Sequence, residues 1–219
     1  MVDTRKMGAT MIDFKKTDKH LYQPGTTPEL VDVPTMLFLA VDGTGDPNTS
    51  PAYTDAIEAL YAISYGIKMA HKQTLEYVVP PLEGLWDHPD TDITDKTRFV
   101  FTAMIRQPEF VTQDILDAAK TSVARKKPGL SLAGLRLMPL TESLCVQAMH
   151  TGPYDTEPET IAAMRTFARD TGYVEDLGKA RRHHEIYLSD PRRTAPQKLK
   201  TVIRHPVKPE QTADRVPLV

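Results

Sequence analysis

An apolar run that ends in a glycine-containing turn occurs twice in this chain, and that repetition limits the fold more than any other feature. The first copy is Met36-Leu-Phe-Leu-Ala40-Val-Asp-Gly-Thr-Gly45-Asp-Pro, and the second is Leu144-Cys-Val-Gln-Ala148-Met-His-Thr-Gly152-Pro. Laid together, they put Ala40 and Ala148 in register. Self-similarity of this kind marks a duplicated unit, because one small unit cannot bury its own apolar face. Behind each copy lies a segment of helical period, 51–72 with Ile57, Leu60, Tyr61 and Ser64 on one stripe, and 157–171 with Ile161, Met164, Phe167 and Ala168. Pro158 near the start of the second and Gly172 past its end are ordinary helix punctuation.

Two strand-like segments follow each helix, 77–86 and 98–106 in the first half, 183–188 and 199–205 in the second. Their ends read alike, Met104-Ile-Arg-Gln-Pro108 beside Val202-Ile-Arg-His-Pro206. Each half is therefore β-α-β-β. The fold class is α+β, a duplicated β-α-β-β module with pseudo-two-fold symmetry around a central groove. The boundaries read as one domain over 29–207, made of repeats at about 29–107 and 130–207. A helix at 108–127, with Phe110, Ile115, Leu116, Ala119 and Val123 on its stripe, joins them. Residues 1–28 read as an N-terminal extension with little helical periodicity, and 208–219 as a surface tail like Arg181-Arg182. Met1, Met7 and Met11 are equally good starts.

Charge narrows the function. With 27 Lys plus Arg against 29 Asp plus Glu, the chain lacks the basic excess of a duplex-binding protein. No apolar stretch reaches the ~18 residues of a membrane span and no secretory leader is read, so a cytoplasmic location is expected. Cys145, between Leu144 and Val146, reads as a small core residue. No cofactor or metal is expected: Asp42-Gly-Thr-Gly-Asp-Pro lacks phosphate-loop spacing, no GxSxG elbow occurs, and the adjacent His183 and His184 face opposite sides of a strand.

Strand alternation singles out the segment around residue 185. His183, Glu185 and Tyr187 share one face, and His184, Ile186 and Leu188 the other. With Ile186 and Leu188 under the helices, Glu185 and Tyr187 fall on the helix-free face, across a cleft from the other half. A solvated face with Glu185 paired to Arg181 or Arg182 is the competing reading. In the first half, Pro80-Pro-Leu-Glu83-Gly-Leu-Trp86-Asp brings Glu83 level with Glu185. Trp86, the single tryptophan, either stacks on a flat or cationic ligand or caps the core. Gly84 suggests a bulge or a close backbone approach. Tyr61 and Tyr65 share a helix face at i,i+4, and Tyr154 sits in the Thr-Gly-Pro-Tyr turn. The candidate chemical residues are Glu185, Glu83 and Tyr65; the candidate ligand surface is Trp86, Tyr154, Tyr187, Tyr61 and His183.

The strings His184-Glu-Ile-Tyr-Leu-Ser-Asp-Pro-Arg-Arg-Thr194, 196–207, Leu30-Val-Asp-Val-Pro34, Pro81-Leu-Glu-Gly-Leu-Trp86 and His150-Thr-Gly-Pro-Tyr154 resemble the stand-alone GyrI-like proteins, over about 13–207. The resemblance implies a fold similar to the effector-binding domains of AraC-type and MerR-type drug-sensing regulators, two SHS2-like repeats around a ligand groove. It implies that Glu185 lies at the groove floor, where the regulators use a carboxylate for cationic aromatic drugs. For some members it implies hydrolysis, opening the cyclopropane of DNA-alkylating natural products. Asp87 departs from the pattern, since a second aromatic is common there.

The expected function is a cytoplasmic binding protein for planar, hydrophobic or cationic xenobiotics, with hydrolysis of cyclopropane-containing genotoxins as an extension of the same site. In that chemistry Glu185, with Glu83, activates a water and Tyr65 or Tyr187 donates to the departing charge. The expected partner is a small molecule, with no direct nucleic acid and no membrane. Two alternatives stay open: a protein-binding regulator like the gyrase-inhibiting relative, and an effector-sensing partner of a separately encoded transcription regulator.

Overall fold

The computed structural model describes residues 11–87 and 95–211; the alternative starts Met1 and Met7 and the end of the tail lie outside them. The fold is mixed α+β, a large antiparallel sheet with helices. Helix α1 is Phe14–Thr17, α2 Lys19–Tyr22, α3 Pro51–His71, α4 Gln113–Lys126 and α5 Glu157–Asp170. The strands are β1 Glu29–Val33, β2 Met36–Thr44, β3 Leu82–Asp87, β4 Val100–Gln107, β5 Arg136–Leu140, β6 Ser143–Thr151, β7 Tyr173–Glu175, β8 His183–Tyr187 and β9 Lys200–Pro209. No helix among the described residues is long and apolar enough to cross a membrane.

The three long helices stand where periodicity and punctuation put them. Pro51 occupies the first turn of α3, whose buried Tyr53, Ala56, Leu60, Ile63 and Ile67 recur every three or four residues. Pro158 is in the first turn of α5, and Gly172, with φ at 82°, takes the left-handed conformation that follows its end. At α4 the Thr112 side chain caps by accepting from the Ile115 amide.

The strands follow the order β1-β6-β9-β8-β3-β4-β2-β5, with β7 attached to β9. Outward from the β3·β8 seam, β4 and β2 succeed β3 as β9 and β6 succeed β8. Neighbours β1 and β2 are separated only by Pro34-Thr35, yet stand at opposite ends of this order, and so do β5 and β6. Their pairings explain it. The register runs unbroken from Glu29↔Gln147 through Val33↔Ser143, then from Met36↔Leu140 to Ala40↔Arg136. At the crossover the Thr35 and Thr141 hydroxyls lie 2.6 Å apart. The ends of the path are thus joined through the chain, and the sheet closes on its inner face.

One expectation about register changes. Strand β2, Met36–Thr44, has the length of β6, Ser143–Thr151, so Val41 and not Ala40 corresponds to Ala148. Ala40 belongs to the inner core, whereas Ala148 packs under α5. The edge strands β1, β5 and β7 were not foreseen, because each is short and takes its partner from far along the chain. Residues 11–28 are also more than an extension: Leu21 and Tyr22 of α2 are 1% exposed in the inner core. At the other end β9 runs on through Lys208 and Pro209, which pair with β7.

Three apolar clusters result. One lies under α3 and α4, one under α5, and the inner one draws Phe38, Leu85, Met104, Cys145, Ile186 and Val202 from both halves. Cys145 is free and buried there.

The inner face also holds an ion cluster. His184 places Nδ1 3.0 Å from both oxygens of Glu142 and Nε2 3.0 Å from Glu83, and the His184 and Glu83 side chains are both fully buried. Two carboxylate acceptors at two ring nitrogens require two N–H groups, so the ring is an imidazolium. Burial opposes that charge, but Glu142 and Glu83 outweigh it and raise the imidazole to about 9. Arg204, also fully buried, donates to Glu142 at 3.0 Å, to Gln147, and at 2.9 Å to the Leu21 carbonyl. The Tyr22 hydroxyl donates to Glu83 at 2.9 Å. The cluster therefore ties α2 to the seam between the halves.

Removing one member strands the opposite charge in a dry interior, so His184→Gln is expected to lose about 3–5 kcal/mol in chemical denaturation. A histidine whose folded value is raised contributes stability that is complete below the unfolded value of ~6.5 and fades as pH rises through the folded one. The melting temperature of the parent should therefore fall between pH ~6.5 and about 9, and His184→Gln should flatten that limb.

Candidate functional site

Helix α3 packs on β2 and β4, and α5 on β6 and β7, which leaves β3 and β8 between them in the middle of the same face. Glu185 projects into this strip. It lies on the face that carries the long helices, not on the helix-free one, because Ile186 is taken into the inner core with Leu85. Strand alternation then sends its two neighbours outward.

The cross-strand partner of Glu185 is Gly84, and Glu83 pairs with Ile186. Glu83 is thereby on the opposite face, fully buried against His184 and Tyr22, and shares no site with Glu185. The absence of a side chain at Gly84 has a use. A Cβ there would lie 2.7 Å from Trp86 Nε1 and 3.3 Å from the Tyr187 hydroxyl. Those two groups meet directly over the glycine, the indole N–H donating to the Tyr187 oxygen at 2.8 Å.

Around this contact the strip is aromatic. Tyr53 of α3 sits 5.5 Å from the Trp86 ring and 5.0 Å from Phe101, and its hydroxyl meets that of Tyr187. Tyr154, in the turn before α5, stands edge-on to Tyr187 at 6.1 Å. Trp86 and Tyr53 are each 9% exposed, while Tyr154 at 36% is the ring open to solvent. Trp86 thus packs on the α3 core and borders the strip at once.

Two carboxyl groups in the strip are driven in opposite directions. Burial works against an ionised Glu185, but hydrogen bonds from His183, at 2.7 Å, and from Tyr187 outweigh it and hold its carboxyl below the ordinary range. Glu157, the first residue of α5, is 7% exposed, and its Oε1 is buried without a hydrogen-bond partner. Burial first and the charge of Glu185 second push it well above the ordinary carboxyl range. A helix N-terminus favours an anion by only ~0.3–1 kcal/mol, and here burial wins. One group is held as a base and its neighbour as an acid.

The other residues singled out from sequence fall as follows. His183 Nε2 faces Glu185 and its Nδ1 faces His205 at 2.6 Å. Tyr61 is half-buried, with Tyr65 stacked on it at 6.3 Å. Tyr65 is 52% exposed, and the hydrogen-bond partners of Glu185 are His183 and Tyr187 instead. Arg181 pairs with Asp176 and Arg182 donates to Thr102, so neither takes the Glu185 carboxylate. Sequence reasoning passed over Glu157 and Tyr53. The helix start gave Glu157 a place in the chain, but only packing showed that this first turn is dry.

A cavity of about 430 Å³ opens beside the start of α5, lined by Met149, His150, Gly152, Thr156, Glu159 and Thr160. It shares no residue with the Glu185 cluster.

Residues 26–208 match the family model of the GyrI-like small molecule binding domain. The chain is similar, at 44% identity and a TM-score of 0.87, to an uncharacterized conserved protein from Listeria innocua, over 90% of this chain and 100% of that one. A hydrolase from Listeria innocua is similar at 43% identity and a TM-score of 0.84, with the same coverage. The C-terminal domain of EcmrR shares the fold alone, with 14% identity and a TM-score of 0.51 over 83% of this chain and 97% of that one. No curated protein matches the chain.

Gly84→Ala tests the central contact. The added methyl group must push the indole off the Tyr187 hydroxyl, so a shift of the single-tryptophan emission and a loss of about 1–3 kcal/mol are expected, read by fluorescence and denaturation. An unchanged emission maximum would show that Trp86 does not lie over Gly84.

Proposed function

The chain belongs to the GyrI-like small-molecule-binding family, and we propose that it binds flat, hydrophobic or cationic molecules between α3 and α5 and hydrolyses those that carry a strained electrophilic ring. In this reading the halves are two SHS2-like repeats of one domain, related by a pseudo-two-fold axis at the β3·β8 seam. The groove lies between them, and the protein acts in the cytoplasm. Trp86, Tyr53, Tyr187 and Tyr154 supply stacking surface, and Glu185 supplies the charge for a cationic ligand. Tyr61 and Tyr65 extend that surface along α3.

What supports hydrolysis is the contrast between two nearby carboxyl groups: Glu185 accepts from His183 and Tyr187, which favours its carboxylate, whereas Glu157 is buried with Oε1 lacking any partner, which favours its acid form. Take a cyclopropane conjugated to a dienone. Glu185 accepts a proton from water, and the water oxygen bonds to the least hindered ring carbon. The ring C–C bond breaks, and its electron pair moves through the dienone to the carbonyl oxygen. That oxygen takes the proton of Glu157 and becomes a phenol. One water has been added, with Glu185 left protonated and Glu157 ionised. Tyr187, hydrogen-bonded to Glu185 and Trp86, fixes the direction of the base. This assignment replaces Tyr65 with Glu157 as proton donor and leaves Glu83 out of the chemistry.

Incubation with a cyclopropanoid alkylator, followed by mass spectrometry, is expected to show the gain of one water. Glu185→Gln and Glu157→Gln should each lower the rate by about 10²-fold or more. A Glu185→Gln variant as fast as the parent would remove the general-base role. Binding is read separately, as quenching of Trp86 emission by planar cationic dyes.

Stability gives an independent sign. The folded-state value of Glu157 is raised, so the unfolded chain ionises it first and the native state loses stability as pH rises above ~4.3. Glu157→Gln should therefore raise the melting temperature at pH 7, with the gain vanishing near pH 4 as the parent's carboxyl is protonated in both states. A residue that is kept at the expense of stability is the expected signature of a functional group.

A further inference from the structure

At the first residue of α5 the strip holds a carboxyl group that the protein itself does not complete. Glu157 is 7% exposed, and its Oε1 is buried with no hydrogen-bond partner among the described residues. Three residues earlier Tyr154 stands edge-on to Tyr187, and both Glu157 and Glu185 bear on the hydroxyls of these two rings. An orphaned oxygen in such a place is completed by a ligand in one of two ways. As an acid, the carboxyl donates to an acceptor on a neutral molecule; as a carboxylate, it faces a cation. The two kinds of ligand therefore require opposite protonation states of one side chain.

We propose that Glu157 selects between two ligand classes, keeping its proton for a flat neutral molecule with a carbonyl acceptor and releasing it to solvent when a flat organic cation enters the strip. Resting on the strip as the ligand site, this selection gives the two classes different fates. A neutral carbonyl compound meets Glu157 as the acid that hydrolysis requires, whereas a cation meets it as a carboxylate and occupies the strip without turnover. The exchange balances one for one: a cation enters, a proton leaves to the buffer, and the only bond broken is the carboxyl O–H. Burial and the charge of Glu185 raise Glu157 to about 9 in the empty strip, so it is protonated at neutral pH. An opposite charge within ~4–6 Å lowers a carboxyl by ~1–3 pH units, enough to bring Glu157 across neutrality. Proton and cation thus weaken each other's binding by the same factor. Cation affinity rises with pH through the interval between the two values and falls as pH drops below it.

The groups that face Glu157 are Glu185 and Tyr187 of β8, and Tyr154 and Asp155 of the turn before α5. Lys96 pairs with Asp155 at 3.3 Å, and His183 reaches the site through Glu185 at 2.7 Å. Burial pushes Tyr154 up to about 12 and Tyr187 well above its ordinary value, so neither ring ionises near neutral pH. Glu185, held below the ordinary carboxyl range by its donors, keeps its charge there as well.

The test uses the whole chain and two probes of one shape, 10-methylacridinium as the cation and 10-methylacridone as the neutral carbonyl compound. Affinities are read from Trp86 emission, and protons are counted by titration calorimetry in buffers of different ionisation enthalpy. Between pH ~6.5 and ~8.5 the cation should tighten by about tenfold, while the acridone changes by less than about twofold. Near pH ~7.5 roughly one proton should leave per cation bound and none per acridone. Glu157→Gln keeps a donor for the acridone but cannot ionise. It should still bind the acridone, and it should lose both the pH slope and the proton release for the cation. A level cation affinity in the parent, or a slope that survives in Glu157→Gln folded by circular dichroism, overturns the selection and leaves the proposed function standing. If neither probe binds at any pH, the strip is not the ligand site and both readings fall.

Discussion

The seam between β3 and β8 depends on one buried imidazolium. His184 lies between Glu83 and Glu142, and each of these belongs to a wider set of hydrogen bonds that includes Arg204, Gln147, Tyr22 and the backbone of α2. A charge of this kind in a dry interior is stable only with its partners in place, so the cluster admits one register and penalises the rest. Because side chains alternate along a strand, fixing His184 on the inner face fixes Glu185 on the outer one. A slip of one residue would bury Glu185 among apolar groups and expose the cluster.

From that constraint the outer strip acquires its character. The inner cluster satisfies carboxylates with cations, whereas the strip sets aromatic rings and a partly satisfied pair of acids side by side. Burial acts alike on Glu185 and Glu157. The difference is that Glu185 receives donors from His183 and Tyr187, and Glu157 has an oxygen without one. Two identical side chains are thereby given opposite protonation states within one site, which is the condition for acid and base chemistry near neutral pH.

Much of this was legible in sequence where the signal is local. Helical period and its punctuation located α3, α4 and α5, and the alternation around residue 185 grouped Glu185 with Tyr187 and His183. Trp86 and Tyr154 were selected for residue type and turn position, and both border the strip. What failed was non-local. Aligning Glu83 with Glu185 required a register that only cross-strand pairing could supply, and the structure sets Gly84 opposite Glu185 instead. The N-terminal residues carry too short a helical run to show a period, so their docking into the inner core by Leu21 and Tyr22 left no trace. Strands β1 and β5 each precede one half but pair with the other.

The sequence by itself determined the elements, their repetition and the residue types available to a ligand, because helix and strand periods and turn residues act over a few positions. The tertiary structure decided that Glu185 faces the long helices, and that Glu157 rather than Glu83 lies close enough to feel its charge. Those outcomes depend on burial and on partners far apart in the chain, and a side chain's protonation state is set by the groups that surround it in space.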